Sequence, residues 1–133
     1  MLHSEITEKI IKAFFKVYNV LGYGFLEKVY ENALVIELQK MGFNISQQHN
    51  VKVYYDMKMV GDYYADIIVD DNIIIELKAA ESLKKEHKAQ LINYLKATEK
   101  EVGLLLNFGR TPEFKRAIFT NDRKNLLQAE IDG

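Results

Sequence analysis

Residues 63–78 read Tyr63-Tyr64-Ala65-Asp66-Ile67-Ile68-Val69-Asp70-Asp71-Asn72-Ile73-Ile74-Ile75-Glu76-Leu77-Lys78. Two β-branched runs flank a polar cluster, the pattern of two strands joined by a tight turn. Alternate residues of a strand share a face. Glu76 and Lys78 therefore emerge together, while Ile73, Ile75 and Leu77 point the other way, into a core. If Asp70–Asn72 is the turn, Val69 pairs with Ile73 and Asp66 stands opposite Glu76. Cβ atoms of directly opposed residues lie roughly 5 Å apart. Two carboxylates that close repel unless a cation sits between them, and hard oxygen ligands favour Mg²⁺, Mn²⁺ or Ca²⁺. Lys78 beside them can activate a water and offset charge on a phosphate. Loop parity decides the matter: a two-residue turn would send Asp66 to the opposite face. The competing view is a surface strand carrying an ordinary Glu–Lys pair.

Outward from this hairpin, Val51–Asp56 alternates as a strand, with Gly61 and Asp62 marking the turn into Tyr63–Val69. Together with Ile73–Ala79 this makes an antiparallel meander. Upstream, residues ~5–20 form a helix with Ile6, Ile10, Phe14, Val17 and Leu21 on one stripe and Ser4 as N-cap. A second helix covers ~25–41, with Leu26, Val29, Tyr30, Ala33, Ile36 and Leu38 apolar, and Gly42 ends it. Downstream, a helix at ~82–99 with Ser82 as N-cap turns Leu83, His87, Leu91, Tyr94 and Leu95 inward. Val102–Phe108 is a continuous apolar run of strand length, expected to be central and buried. A last strand falls at ~114–119, and the tail 121–133 reads as a frayed, peripheral helix. The order α-α-β-β-β-α-β-β predicts an α/β (α+β) fold with a mixed sheet flanked by helices, in one domain spanning 1–133.

The chain has 133 residues, 48 % hydrophobic and 28 % charged, a globular balance. It contains no cysteine, which excludes disulfides, thiolate zinc sites and iron–sulfur clusters. Glu5, Glu8, Lys9 and Lys12 interrupt any signal-peptide apolar region, so a cytoplasmic protein is expected. A net charge of -1 counts against a sequence-independent coat for nucleic acid, yet not against an enzyme that needs only a local basic rim.

Other residues point toward the hairpin. Glu27 and Tyr30 lie three apart at the start of the second helix, where Glu27 is either a third carboxylate or an acid favoured by the helix dipole. Tyr30 alone reads as core. Gln90 and Tyr94 share a helix face, and Gln90 either positions a water or phosphate or is solvated beside a core tyrosine. Lys84, Lys85, His87, Lys88, Lys96, Lys115 and Arg116 form a moderately basic set able to contact phosphates, or a solvated face. Phe14, Phe15, Tyr18, Tyr23 and Phe25 are mostly core, any excess serving a homodimer or protein partner.

Gly24-x-x-Glu27-x-x-Tyr30, then Asp66, Glu76-Leu77-Lys78, Gln90, Tyr94-Leu95-Lys96 and Leu104-Leu105-Leu106-Asn107-Phe108-Gly109, resembles the GxxExxY protein family. That family is grouped with the PD-(D/E)XK nuclease superfamily, and the resemblance spans roughly 5–120. It implies a restriction-endonuclease-like core and a Mg²⁺- or Mn²⁺-dependent nuclease acting on nucleic acid, DNA in the first instance. It also implies roles. Glu27 looks like the helix-borne acid and Asp66 like the metal-binding aspartate. Glu76 and Lys78 look like the E-x-K pair, with the Leu77 carbonyl as a further metal ligand. Gln90 and Tyr94 are similar to the Q-x-x-x-Y motif of RecB-type nucleases. Ala65 departs from the proline of the superfamily's name, at a position that varies. The superfamily includes inactive members, so a catalytically silent module that binds nucleic acid or protein is the alternative.

Overall fold

Ile73–Leu77 and Val102–Phe108 are mostly apolar and buried on both faces, which suits two strands side by side at the centre of a covered sheet. In the computed structural model, which describes residues 2–124, they belong to β3 (Ile73–Lys78) and β4 (Val102–Phe108), which run parallel, with Ile75 beside Leu104. Before β3 come α1 (Ser4–Leu21), α2 (Glu27–Lys40), β1 (Ile45–Tyr55) and β2 (Lys58–Val69). Between β3 and β4 lies α3 (Lys85–Lys96), the crossover that a parallel pair requires. After β4 comes β5 (Pro112–Ile118), then a short 3₁₀ turn at Asn121–Arg123. The expected element order is the observed one. Of the tail, 125–133 lies outside the described residues. Lys124 is buried and its Nζ donates to the Thr98 and Lys100 carbonyls.

The five strands lie in chain order, β1-β2-β3-β4-β5, with only β3–β4 parallel. α1 and α2 cover one face, packing Ile10, Phe14, Leu34 and Leu38 against Ile67, Ile75, Leu104 and Leu106. α3 covers the other with Leu91, Tyr94 and Leu95 over Ile68, Ile74 and Leu105. Gly103 lets α3 approach, since a Cβ there would come within 2.7 Å of the Leu91 side chain. Among the described residues no helix is long and apolar enough to cross a membrane.

Several local expectations are corrected. Ser4 is the first helical residue of α1 rather than its cap, which is a left-handed His3. α2 turns Tyr30, Leu34, Val35 and Leu38 inward, whereas Leu26, Val29 and Ile36 are exposed. Its end is as expected: Gly42 is left-handed, its N–H reaches the Gln39 carbonyl and the Phe43 N–H reaches that of Leu38. The β1–β2 turn is Asp56–Met57, both left-handed, and not Gly61–Asp62, which lie inside β2. α3 starts three residues beyond Ser82. The His87 Nδ1 accepts the Lys84 N–H and caps the helix instead.

Tyr30 ties these layers together. Its ring stacks on Phe108 at 4.3 Å. Its hydroxyl donates to the Gly22 carbonyl at 2.6 Å and accepts the Phe25 N–H at 3.1 Å. The loop between α1 and α2, with Gly22 and Gly24 at positive φ, is thereby pinned, and with it the start of α2 at Glu27. Tyr30→Phe keeps the stacking and removes both hydrogen bonds. It is expected to lower unfolding stability by about 1–2 kcal/mol in chemical denaturation. Unchanged stability would show that the loop is held by packing alone.

Candidate metal and catalytic site

The β2–β3 ladder runs from Val69–Ile73 through Ile67–Ile75 and stops there. Asp70 and Asp71 are left-handed, at φ 50° and 56°, and the Asn72 N–H closes the turn on the Val69 carbonyl. The turn is therefore three residues long, and Asp66 falls opposite Glu76. At this step side chains replace the ladder. The Asp66 N–H donates to Glu76 Oε2 at 2.8 Å, and the Leu77 N–H donates to Asp66 Oδ2 at 2.8 Å. Each acid thus ties its own strand to the other.

A slip in β1 and β2 explains the break. Inward of Asp66, the odd-numbered Ile67 and Val69 pack with α1 and α2. Outward of it, the odd-numbered Val51, Val53 and Ala65 pack with α3. The alternation shifts at Gln48 and Asp66, a pair missing from the ladder, where Gln48 is left-handed at φ 51°. Gln48 also holds the slip in place, donating to Asp66 Oδ1 at 3.3 Å and to Glu31 Oε1 at 3.1 Å.

Glu76 is 7 % exposed. Burial, reinforced by the charge of Asp66, pushes its carboxyl up to about 8, with Lys78 pulling the other way. Without a cation, Glu76 keeps its proton at neutral pH; a cation favours the carboxylate. Desolvation also raises Glu27; the charge of Lys78 opposes the shift, while Asp66 and Glu31 add to it. Burial raises Tyr94 as well. Gln90, whose amide donates to the Tyr94 hydroxyl at 2.9 Å, opposes that shift, and the charges of Glu76 and Asp66 augment it. The middle of β2, the end of β3, the start of α2 and the middle of α3 thus bring all six candidate side chains, Glu27, Asp66, Glu76, Lys78, Gln90 and Tyr94, to one region.

They do not form a closed cage. Among the described residues no three His, Asp or Glu side chains gather closely enough to hold a metal ion. Asp66 and Glu76 oppose each other as a pair, and among the described residues no hydrogen bond joins Glu27 to either. The pair still suits a hard divalent cation: two carboxylates, each with one oxygen accepting a backbone N–H. The basic residues divide. Lys84, Lys85, Lys88 and Lys115 are exposed. Lys96 lies over the Phe119 ring, and Arg116 donates to the Leu2 carbonyl.

Sequence reasoning missed three supports. Glu31 is buried and receives hydrogen bonds from Lys28, Gln47 and Gln48, linking α2 to the β1 slip. Its one sequence signal is an acid next to a core tyrosine. Asn107, fully buried, accepts the Ala80 N–H and donates to the Ala80 carbonyl, so its amide acts as one more strand residue for the chain leaving β3. Gly109 allows that approach, because a Cβ there would collide with the Ala80 carbonyl oxygen.

Comparison with known proteins adds a family. The sequence profile described as the PD-(D/E)XK nuclease superfamily matches residues 4–117. No curated protein sequence matches. Among solved structures, the crystal structure of SSO0001 is similar at TM-score 0.54 with 21 % identity, covering 98 % of this chain and 65 % of that one. The chain therefore spans just under two thirds of that relative, and the likeness is one of fold. A weaker likeness, TM-score 0.40 at 10 % identity over 90 % of this chain and 82 % of the other, is to an alkaline exonuclease (LHK-Exo) from Laribacter hongkongensis.

The burial of Glu76 has a measurable consequence. A carboxyl raised from 4.5 to about 8 adds stability below pH 4.5, and that contribution is lost as pH rises through 8. Glu76→Gln stays neutral throughout and can still accept the Asp66 N–H. In chelator, wild type is expected to lose stability relative to Glu76→Gln between these pH values, by up to ~1.4 kcal/mol per pH unit. Parallel melting curves for the two proteins across that range would contradict the raised value.

Proposed function

The chain belongs to the PD-(D/E)XK nuclease superfamily, and from that premise we propose that it is a divalent-metal-dependent nuclease that hydrolyses DNA phosphodiester bonds. The observation that carries the reading is the reciprocal pairing of Asp66 and Glu76, with Lys78 two residues along the same strand. Asp66, Glu76 and the Leu77 carbonyl would hold Mg²⁺ or Mn²⁺, with Glu27 approaching from the start of α2. When bound, the cation acidifies a water and offsets phosphate charge. Lys78 orients the attacking water and neutralises charge on the phosphoryl oxygens as the water oxygen bonds to phosphorus and the ester P–O bond breaks. Gln90 and Tyr94 bound the site on the α3 side, the Gln90 amide donating to the Tyr94 hydroxyl.

One observation favours the second reading, a silent binding module: no three metal-binding side chains gather among the described residues. Incubating single-stranded, linear duplex and plasmid DNA, and RNA, with the protein in Mg²⁺ or Mn²⁺ separates the two. The expected outcome is cleavage, lowered at least ~100-fold in Asp66→Asn and in Lys78→Ala. Asp66→Asn can still accept the Leu77 N–H, so its loss of activity would not reflect unfolding. No cutting of any substrate, or equal cutting by the variants, sinks the nuclease reading.

A further inference from the structure

Between the outer half of the β1–β2 hairpin and α3 runs a groove of about 580 Å³, within the size range of small-ligand sites. The slip at Gln48 and Asp66 creates it, by turning Val53 and Tyr63 toward the helix. Its floor is apolar, and Gly61 is part of it. A Cβ on Gly61 would come within 2.8 Å of Tyr63 Cε2, so the missing side chain lets the Tyr63 ring lie over the strand. That ring is 47 % exposed. It sits 5.9 Å from the ring of Tyr94, which is only 5 % exposed. The inner ring therefore supports an outer ring that is open to a ligand. Gln90 and Asn93, three apart on α3, are exposed along the helix wall, the Gln90 amide nitrogen donating to the Tyr94 hydroxyl and its oxygen remaining as an acceptor.

The charge balance narrows the ligand. Glu86 and Lys96 are the acid and the base of the lining, one of each, and Lys96 is already engaged with Phe119. The groove is close to neutral, unlike the carboxylate and lysine site next to it. Gln90 and Tyr94 line the groove, and Tyr94 lies near enough to Asp66 and Glu76 to feel their charge, so groove and site are continuous. A nucleotide divides the same way, into a neutral planar base with donors and acceptors on its edge and an anionic phosphate. We propose that the groove binds one nucleobase of a single-stranded nucleic acid, stacked on Tyr63 with its edge toward Gln90 and Asn93, while the adjoining phosphate lies at Lys78 and the divalent cation that Asp66 and Glu76 would hold. The proposal rests on the nuclease reading above and adds a preference: a base paired and stacked within a duplex cannot enter, so single strands and frayed ends are selected.

The test is binding of a short fluorescent oligothymidylate, followed by anisotropy with Ca²⁺ in place of Mg²⁺. Tyr63→Ala is expected to weaken binding about tenfold, the effect of losing one base–ring stack, and Tyr63→Phe to bind as wild type does. An abasic oligonucleotide is expected to bind wild type as weakly as the intact one binds Tyr63→Ala, and a duplex of the same sequence more weakly than the single strand. Wild-type affinity in Tyr63→Ala, or equal affinity for duplex and single strand, overturns the groove. Cleavage of single strands by wild type and not by Asp66→Asn, run beside these, keeps the nuclease reading standing in that event. A wild type that neither binds nor cuts overturns both.

Discussion

Two backbone hydrogen bonds that end on side chains organise this protein: Asp66 N–H to the Glu76 carboxyl, and Leu77 N–H to the Asp66 carboxyl. A sheet that continued its ladder past Ile67–Ile75 would use backbone carbonyls at this step. Here the strands part, and two acids occupy the gap. Opposed carboxyls, one of them buried, are unfavourable unless backbone donors, a proton or a cation compensates. The backbone donors are present. Burial and the charge of Asp66 raise Glu76, so a proton on its carboxyl fills the remaining role, one that a cation could also fill. The likeness between what this pair needs and what a metal ion supplies is the physical basis of the functional reading.

Much of the surrounding structure serves to keep that gap open and in register. The isoleucine-rich step from Ile67 to Ile75 is buried on both faces and resists slippage. The three-residue turn sets its parity. Gln48, bridging Glu31 and Asp66, prevents β1 from closing over the break. On the far side of β3, the Asn107 amide holds Ala80 as a neighbouring strand would. Tyr30 pins the loop from which α2 starts, and so fixes where Glu27 enters. The glycine, glutamate and tyrosine at 24, 27 and 30 thus have separate tasks: a left-handed turn, a charge facing the site, and a clamp.

Parts of this were legible in the sequence. β4 announced itself as a continuous apolar run from Val102 to Phe108, all of it buried in the structure, and the Asp66–Glu76 register followed from counting the residues between two runs of β-branched side chains. Those features are local and periodic. Gly61–Asp62 looked like a turn because glycine and aspartate usually make one, yet the turn is at Asp56–Met57, where a methionine takes a left-handed conformation that no composition rule suggests. Gly61 is there for the close approach of Tyr63, a contact invisible along the chain. Ser82 lost the capping role to His87, whose ring nitrogen reaches back to Lys84. The buried face of α2 was displaced because Glu31 sits inside it, and its partners are sixteen and seventeen residues away on β1. Long-range polar partners of this kind leave no periodic trace.

The central claim is that the Asp66–Glu76 pair is a divalent-cation site, and Mn²⁺ titration of the apo protein at neutral pH by calorimetry tests it most directly. The account predicts saturable Mn²⁺ binding by wild type that is lost in Glu76→Gln, a variant that retains the hydrogen bond from Asp66 and the fold. Binding that persists unchanged in Glu76→Gln, or its absence in wild type, would contradict it.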